Sequence, residues 1–292
     1  MEYDDRHRIF LQGVLNMGVV SRSAAKNLLQ KAYTIRGDSL PTQSSELSLI
    51  LREITYSINK KIQHLNLAIV KAIDENQINK EGYFVLINQL DRSEELTQLT
   101  QKCMIEFAPH ELEFLKLLMD EMIQGPKSNT ADEENEESDD EEHIPYFRKG
   151  EIMETRALNL GSRLKSKTLK PLEAQAIIDK FIEKKWLRSS ESEEITFTPR
   201  FIAEMETYLR PVYPDDISSC SLCNKMVVKS LLCECGKQFH LYCLGAAIPK
   251  SKNRDEVMSV PCPKCKASIA LRQTSSTQPG SRKRSHNEED DE

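Results

Sequence analysis

The chain has 292 residues, an aromatic content of 6% and a formal net charge of -6 at pH 7. That length accommodates two or three domains, and so few aromatic side chains argue for several small modules over one large core. No run approaches the ~20 apolar residues of a membrane-spanning helix, since the apolar stretch from Ile9 to Val20 is broken by Gln12 and Asn16, so no membrane role is expected. The first eight residues are charged where a signal peptide has an apolar run, which points to an intracellular, reducing compartment. The net charge conceals an asymmetry. Nine acids lie between Asp132 and Glu142 and five between Glu288 and Glu292, and without those fourteen the chain carries about +8. Such a balance is compatible with work near nucleic acid but not diagnostic of it.

Phe10, Leu11, Val14 and Leu15 recur at helical spacing, and Ala24, Ala25, Leu28, Leu29 and Ala32 follow Ser21 and Ser23 as candidate N-caps. A third set, Leu47, Ile50, Leu51, Ile54 and Ile58, follows a polar stretch containing Pro41, with Ser44 or Ser45 placed to cap it. The period then changes. Leu65, Leu67 and Ile69 alternate with polar or small neighbours, and after Lys80-Glu81-Gly82 the β-prone run Tyr83 to Ile87 completes a hairpin. Three helices closed by a hairpin predict a winged helix over about residues 5–92, within a domain spanning 1–94. Its third helix offers Glu46, Arg52 and Glu53, not the cationic face that neutralises phosphates, so this module reads as a protein binder.

The same grammar returns. Pro109 suits the first turn of a helix carrying Leu112, Leu115, Met119 and Met122, and a second helix is expected over roughly Glu151 to Leu160. A third begins near Pro171, carries Leu172, Ala176, Ile177 and Phe181, and ends at Lys184-Lys185, where cations complement the helix dipole. Trp186-Leu187, a polar turn and Ile195-Thr196-Phe197 supply the hairpin, and a closing helix from Pro199 bears Phe201, Ile202, Met205 and Leu209. This second winged helix occupies about 97–210, within a domain spanning 95–212. It is interrupted at 124–143 by an acidic segment without apolar periodicity, predicted to be disordered, in which Ser138 is a candidate phosphorylation site. Arg148, Lys149, Arg163, Lys165, Lys167 and Lys170 offer an auxiliary DNA contact, with ordinary solvated cations as the plainer reading. The tail 273–292 is also predicted to be disordered, with Arg282, Lys283 and Arg284 as a short candidate nuclear import signal.

Seven of the eight cysteines fall in the last eighty residues, and with one histidine they form four pairs: Cys220 and Cys223, Cys233 and Cys235, His240 and Cys243, Cys262 and Cys265. Eight donors supply two tetrahedral Zn²⁺ ions, each pair chelating through a short turn. Metal binding then provides the folding free energy that a stretch with so few apolar side chains lacks. The order of pairs fits an interleaved cross-brace, with Cys220, Cys223, His240 and Cys243 on one ion and Cys233, Cys235, Cys262 and Cys265 on the other. Spacing alone also permits sequential pairing. Cys103, in an apolar helix-like context, reads as a buried thiol. Two ions filled by eight protein ligands leave no open coordination position, so their expected role is structural.

Three residues of this module, 213–272, resemble the surface by which a RING finger recruits a ubiquitin-conjugating enzyme: Leu222, Pro263 and Lys266. Leu222 and Pro263 are expected to form an apolar anchor, and Lys266 to hydrogen-bond both the conjugating enzyme and its ubiquitin. The competing reading is a histone-binding PHD-like finger, because the histidine is fifth among the eight ligands. Against it, Val260 stands where that family carries a tryptophan, and Phe239 and Tyr242 are expected to fill the core. The fold class expected is mainly α with small β hairpins: tandem winged-helix domains followed by a two-zinc cross-brace RING-like domain.

Taken in order, two winged helices followed by Cys-x-x-Cys, Cys-x-Cys, His-x-x-Cys and Cys-Pro-x-Cys, the chain resembles non-SMC element one of the Smc five/six DNA-repair complex. Arg8-Ile9-Phe10-Leu11-Gln12, the hairpin from Ile69 to Ile87, and Ala174 to Leu187 with its Lys185-Trp186-Leu187 end are similar to that family as well. Histidine in fifth place is the family's own pattern. The resemblance implies a nuclear, chromosome-associated RING-type ubiquitin-protein ligase subunit acting in DNA repair by homologous recombination. It also implies a MAGE-domain subunit and a kleisin as partners, the former needed for full ligase activity. The alternative is a non-catalytic scaffold or a PHD-like chromatin-binding subunit.

Overall fold

Helix α1 (Asp5–Met17) starts where the Asp4 carboxylate accepts the Arg6 N–H, and it stops at Gly18, whose φ of 68° suits a residue without Cβ. These elements come from a computed structural model, which describes residues 3–39, 43–89, 106–125, 148–249 and 257–271. Pro41, Cys103, the acidic segment beyond Gly125 with Ser138, and the tail with Arg282, Lys283 and Arg284 lie outside the described residues. Strand β1 (Val19–Ser21) leads into α2 (Arg22–Arg36), capped by Ser21, whose Oγ accepts the Ala24 N–H at 3.2 Å. Helix α3 (Ser44–Ile62) uses neither of the expected serine caps. Gln43 holds the N-cap position without a side-chain bond, so Ser44 and Ser45 already lie inside the first turn.

Strands β2 (Leu67–Ile73) and β3 (Gly82–Asn88) pair antiparallel from Leu67↔Asn88 to Ile73↔Gly82, and β1 adds to the free side of β3, giving the order β1-β3-β2. The helices bury Phe10, Val14, Leu29, Ile54 and Ile58 against Ile69 and Phe84. Asn59 pins the hairpin to α3: its amide donates to the Ile69 carbonyl at 2.9 Å and accepts the Ile69 N–H at 2.7 Å.

The second module repeats this plan. Helix α4 (Pro109–Gln124) buries Leu112, Leu115, Met119 and Met122, as their spacing predicts. The helix expected over 151–160 divides into strand β4 (Glu151–Met153), helix α5 (Glu154–Asn159) and a 3-10 turn, Leu160–Arg163. Three strand residues are too few to display a period of two. Helix α6 (Pro171–Glu183) buries Ala174, Ile177, Ile178 and Phe181, whereas Leu172 is 85% exposed and Ala176 is also exposed. At about 100° per residue, Leu172 and Ala176 each stand roughly 200° from Ala174 and cannot share its face. Strands β5 (Leu187–Ser189) and β6 (Glu194–Phe197) give the order β4-β6-β5, and α7 (Pro199–Val212) closes the module. At its centre Trp186 is 1% exposed, edge-on to Phe107 and Phe201, with Nε1–H donating to Glu106 at 3.1 Å.

The carboxy-terminal module is built from three two-stranded ladders. These pair β7 (Ser218–Ser219) with β8 (Met226–Val227), β9 (Ser230–Leu232) with β10 (Gln238–His240), and β11 (Ser259–Pro261) with β12 (Ser268–Ala270). Helix α8 (Leu241–Gly245) follows β10 directly. Phe239, Leu244, Ile248, Val260 and Ile269 form a small core around Cys220, Cys233 and Cys262, while Met226 and Val228 join the core of the second winged helix. Among the described residues, no helix is long and apolar enough to cross a membrane.

The loop between β2 and β3 ties the modules together. Asp74, fully buried, takes both terminal nitrogens of Arg188 at 2.8 and 3.2 Å, and the Asn88 N–H donates to Glu204 of α7 at 3.1 Å. Ile78 packs on the carboxy-terminal core, and a Cβ on Gly245 would lie 2.5 Å from the Ile78 carbonyl oxygen. Two outcomes follow from this packing. Trp186→Ala should cost about 3–5 kcal/mol in chemical denaturation. Gly245→Ala should lift the Ile78 loop, read as faster amide exchange there, while the Trp186 core keeps its protection.

Candidate metal centre

The ligand pairs sit on turns whose geometry repeats. In the first, the Cys220 N–H donates to the Lys225 carbonyl at 2.9 Å and the Asn224 N–H donates back to the Cys220 carbonyl at 2.8 Å. The turn at Cys262 does the same with Ala267 at 2.7 Å and Lys266 at 3.0 Å, and a tighter version joins Cys233 to Lys237 and Gly236. Each turn needs a left-handed residue immediately after its second ligand. Asn224 (φ 57°), Gly236 (φ 76°) and Lys266 (φ 70°) occupy those places. Asn and Gly adopt that conformation readily, whereas a lysine held there costs on the order of 1 kcal/mol. The remaining pair comes from the junction of β10 and α8, where His240 ends the strand and Cys243 lies in the helix.

Folding brings these donors into two interleaved groups. Cys220, Cys223, His240 and Cys243 form one, Cys233, Cys235, Cys262 and Cys265 the other, and within each group the donor atoms all lie within 4.8 Å of one another. His240 Nδ1 is 3.4 Å from Cys223 Sγ and 3.7 Å from Cys243 Sγ, and the Cys233–Cys265 and Cys235–Cys262 sulfur distances are 3.4 and 3.9 Å. A tetrahedral ion with metal–sulfur and metal–nitrogen bonds of about 2.3 and 2.0 Å sets neighbouring sulfurs about 3.8 Å apart and sulfur and nitrogen about 3.5 Å apart. The separations therefore match edges of a coordination tetrahedron and far exceed the ~2.05 Å of a disulfide. Both clusters can hold a metal ion.

Their electrostatics suit a cation. Burial opposes ionisation of Cys220, but the N–H groups of His240, Leu222 and Cys223 converge on its sulfur and bring the thiol down to about 7. At Cys262 burial is likewise overcome, by the N–H groups of Cys265 and Lys264, and the thiol falls to about 6. Cys243 is pushed up, by burial first and then by the charge of Cys220. Without a cation, one thiolate suppresses its neighbours; a divalent ion at the centre removes that repulsion.

His240 is oriented from behind. Its Nε2 lies 2.9 Å from the Met226 carbonyl and 3.3 Å from Glu75 Oε1, so in the neutral ring that a metal would bind, Nε2 carries the proton and Nδ1 is the free donor facing the sulfurs. Burial alone would lower the imidazole pKa, but the hydrogen bond and charge of Glu75 and the Met226 carbonyl lift it to about 9. Glu75 is 3% exposed and comes from the β2–β3 loop of the first winged helix. Sequence reasoning did not single it out. The available signal was Asp74-Glu75, two acids closing an apolar strand.

Leu222 is 43% exposed on the first turn, Pro263 is half-buried on the last, and Lys266 is exposed beside it. Phe239 and Tyr242 are buried, Tyr242 stacking on His240 with centroids 4.4 Å apart, and Val260 is buried in β11. The cations considered for DNA contact are largely engaged. Arg163 faces Glu121 at 3.6 Å, Lys167 faces Glu173 at 2.9 Å, Arg148 faces Glu151 and Glu194 at 3.3 and 3.4 Å, and Lys149 faces Asp216 at 3.8 Å. Lys165 and Lys170 are exposed.

Acid should empty these clusters, because protons and metal compete for the same sulfurs. Retention is expected to weaken as the pH falls below about 6, where protons compete even for Cys262; a chromophoric chelator follows the release. Cys220→Ser and Cys265→Ser should each unfold the interlocked module and lower the metal content of both clusters in elemental analysis, a structural ion being worth ~10–16 kcal/mol of apparent folding free energy in small peptides.

Comparison with known proteins gives a consistent result. The family model described as Nse1 non-SMC component of SMC5-6 complex matches residues 7–205. The chain is similar to the non-structural maintenance of chromosomes element 1 homolog of Bos taurus, 26% identical over 262 residues, 89% of this chain and 82% of that protein. The homolog of Homo sapiens is 27% identical over 242 residues, 82% of this chain and 77% of that protein. A solved structure described as the Nse1-Nse3-Nse4 complex superposes with a TM-score of 0.67 at 25% identity, covering 92% of this chain and 97% of that one.

Proposed function

Because the chain belongs to the Nse1 family of non-SMC components of the SMC5-6 complex, we propose that it is the RING-type ubiquitin-protein ligase subunit of such a complex. It acts in DNA repair by homologous recombination, in the nucleus and on chromosomes. Its partners are a MAGE-domain subunit and a kleisin, the counterparts of Nse3 and Nse4 in the complex that this fold matches. The ions are two structural Zn²⁺, chosen by the thiolate-rich donor sets, which suit a borderline-soft tetrahedral cation.

The observation that carries the ligase reading is the exposure of Leu222 and Lys266 on two turns, one from each metal cluster, with Pro263 between the last two ligands. Leu222 and Pro263 anchor a ubiquitin-conjugating enzyme, and Lys266 hydrogen-bonds the enzyme and its ubiquitin. The chain contributes no nucleophile. The substrate amine attacks the thioester carbonyl, the thiolate of the conjugating enzyme leaves, and this subunit accelerates the step by restricting the orientation of the charged pair. Phe239 and Tyr242, both buried, do not offer a methyl-lysine cage, which disfavours the PHD-like alternative. A scaffold reading is favoured by the packing of the metal-binding module on both winged helices.

Discharge of ubiquitin from a charged conjugating enzyme, with the MAGE partner present, separates the two. Lys266→Gly removes the cation and relieves the left-handed strain, so discharge should fall several-fold while stability holds or rises by about 1 kcal/mol. Leu222→Ala should lower discharge without loss of metal. If neither variant changes discharge across a panel of conjugating enzymes while Cys220→Ser abolishes complex assembly, the module is a scaffold.

A further inference from the structure

The β2–β3 loop places three consecutive polar residues against two other modules. Asp74 is neutralised by Arg188 of the second winged helix, and Asn76 donates to the Phe197 carbonyl at 3.4 Å. Glu75 turns the other way. Its Oε2 accepts the N–H groups of Val228 and Lys229 at 3.0 and 2.8 Å, and its Oε1 lies 3.3 Å from His240 Nε2. A buried carboxylate is costly unless its oxygens are satisfied, and here the two backbone donors occupy one oxygen while the other faces the imidazole of a metal-binding cluster. A carboxylate behind a ligating histidine fixes its tautomer and ring plane and strengthens its lone pair.

We propose that Glu75 is an outer-shell ligand of the Cys220, Cys223, His240 and Cys243 site, positioning His240 through Nε2, whose proton it shares with the Met226 carbonyl at 2.9 Å. Metal retention at that site and seating of the amino-terminal winged helix on the carboxy-terminal module are then linked. The proposal rests on the metal-binding reading above. Linkage is reciprocal: whatever factor Glu75 contributes to metal affinity, the bound metal returns to the docking of the loop that carries it. Outer-shell partners are typically worth 10–100-fold in metal affinity. The second cluster, with four sulfurs and no imidazole, has no such contact, so the effect is confined to one of two ions.

Full-length protein loaded with two equivalents of metal provides the test. Metal loss to excess chelator is followed site by site in cadmium-substituted protein, whose nitrogen-containing and all-sulfur sites should give separate NMR resonances. Glu75→Gln keeps the side-chain volume but removes the charge. It should speed metal loss from the nitrogen-containing site by about 10–100-fold, move that site's resonance, and leave the all-sulfur site as in wild type. In wild type, stripping that ion should speed amide exchange in the β2–β3 hairpin. His240→Cys keeps four ligands and deletes the Nε2 contact, so Glu75→Gln should add nothing in that background. The proposal is overturned by release from Glu75→Gln at the wild-type rate, or by equal acceleration with and without His240, which would mean that the carboxylate acts through the Val228 and Lys229 amides. Wild-type protein that holds no metal would instead overturn the metal-binding reading itself.

Discussion

Four soft donors held within 4.8 Å of one another, twice over, form the constraint from which the carboxy-terminal module is built. Backbone N–H groups favour the thiolate at Cys220 while burial and the Cys220 charge oppose it at Cys243, a conflict that a central cation would relieve. Because the groups interleave, the chain segment spanned by each cluster contains donors of the other, and neither half of the module is complete alone. The apolar core around Phe239, Leu244 and Ile269 is correspondingly small. Backbone strain at Lys266 is tolerated because the hydrogen bonds of its turn over-determine it.

The two winged helices are coupled to this frame by chemistry unlike that of a nucleic-acid-binding wing. Where such a wing would offer cations to phosphate, this loop offers Asp74 and Glu75, both buried, to Arg188 and to His240. The loop is spent on internal docking. Several cations of the second module are likewise committed to acids within their own fold, including Arg163 to Glu121 and Arg148 to Glu151. The surfaces left exposed by the described residues include Leu49 and Tyr56 on α3 and Leu222 on the first metal turn, a distribution that suits protein partners.

Much of this was legible in the sequence. Apolar spacing located the principal helices of both repeats and their hairpins, because a helix or strand that buries one face must repeat its apolar residues at the matching period. Ligand spacing picked out the eight residues that the fold gathers into two clusters, because a chelating turn needs its donors close in sequence. Legibility failed where local signals were short or ambiguous. The three-residue strands β1 and β4 carry no resolvable period, Leu172 has the right residue type on the wrong face of α6, and α3 begins one or two residues too early for the hydroxyl caps offered to it.

The sequence by itself determined the composition of the metal clusters and the repeated helix-and-hairpin plan, since both are written in residues near one another along the chain. Only the tertiary structure decided how the four pairs are apportioned between two clusters, that Asp74 meets Arg188, and that Glu75 stands behind His240. A carboxylate's role is set by whichever donors the fold carries to it, and here those donors come from modules far along the chain, beyond the reach of any local pattern.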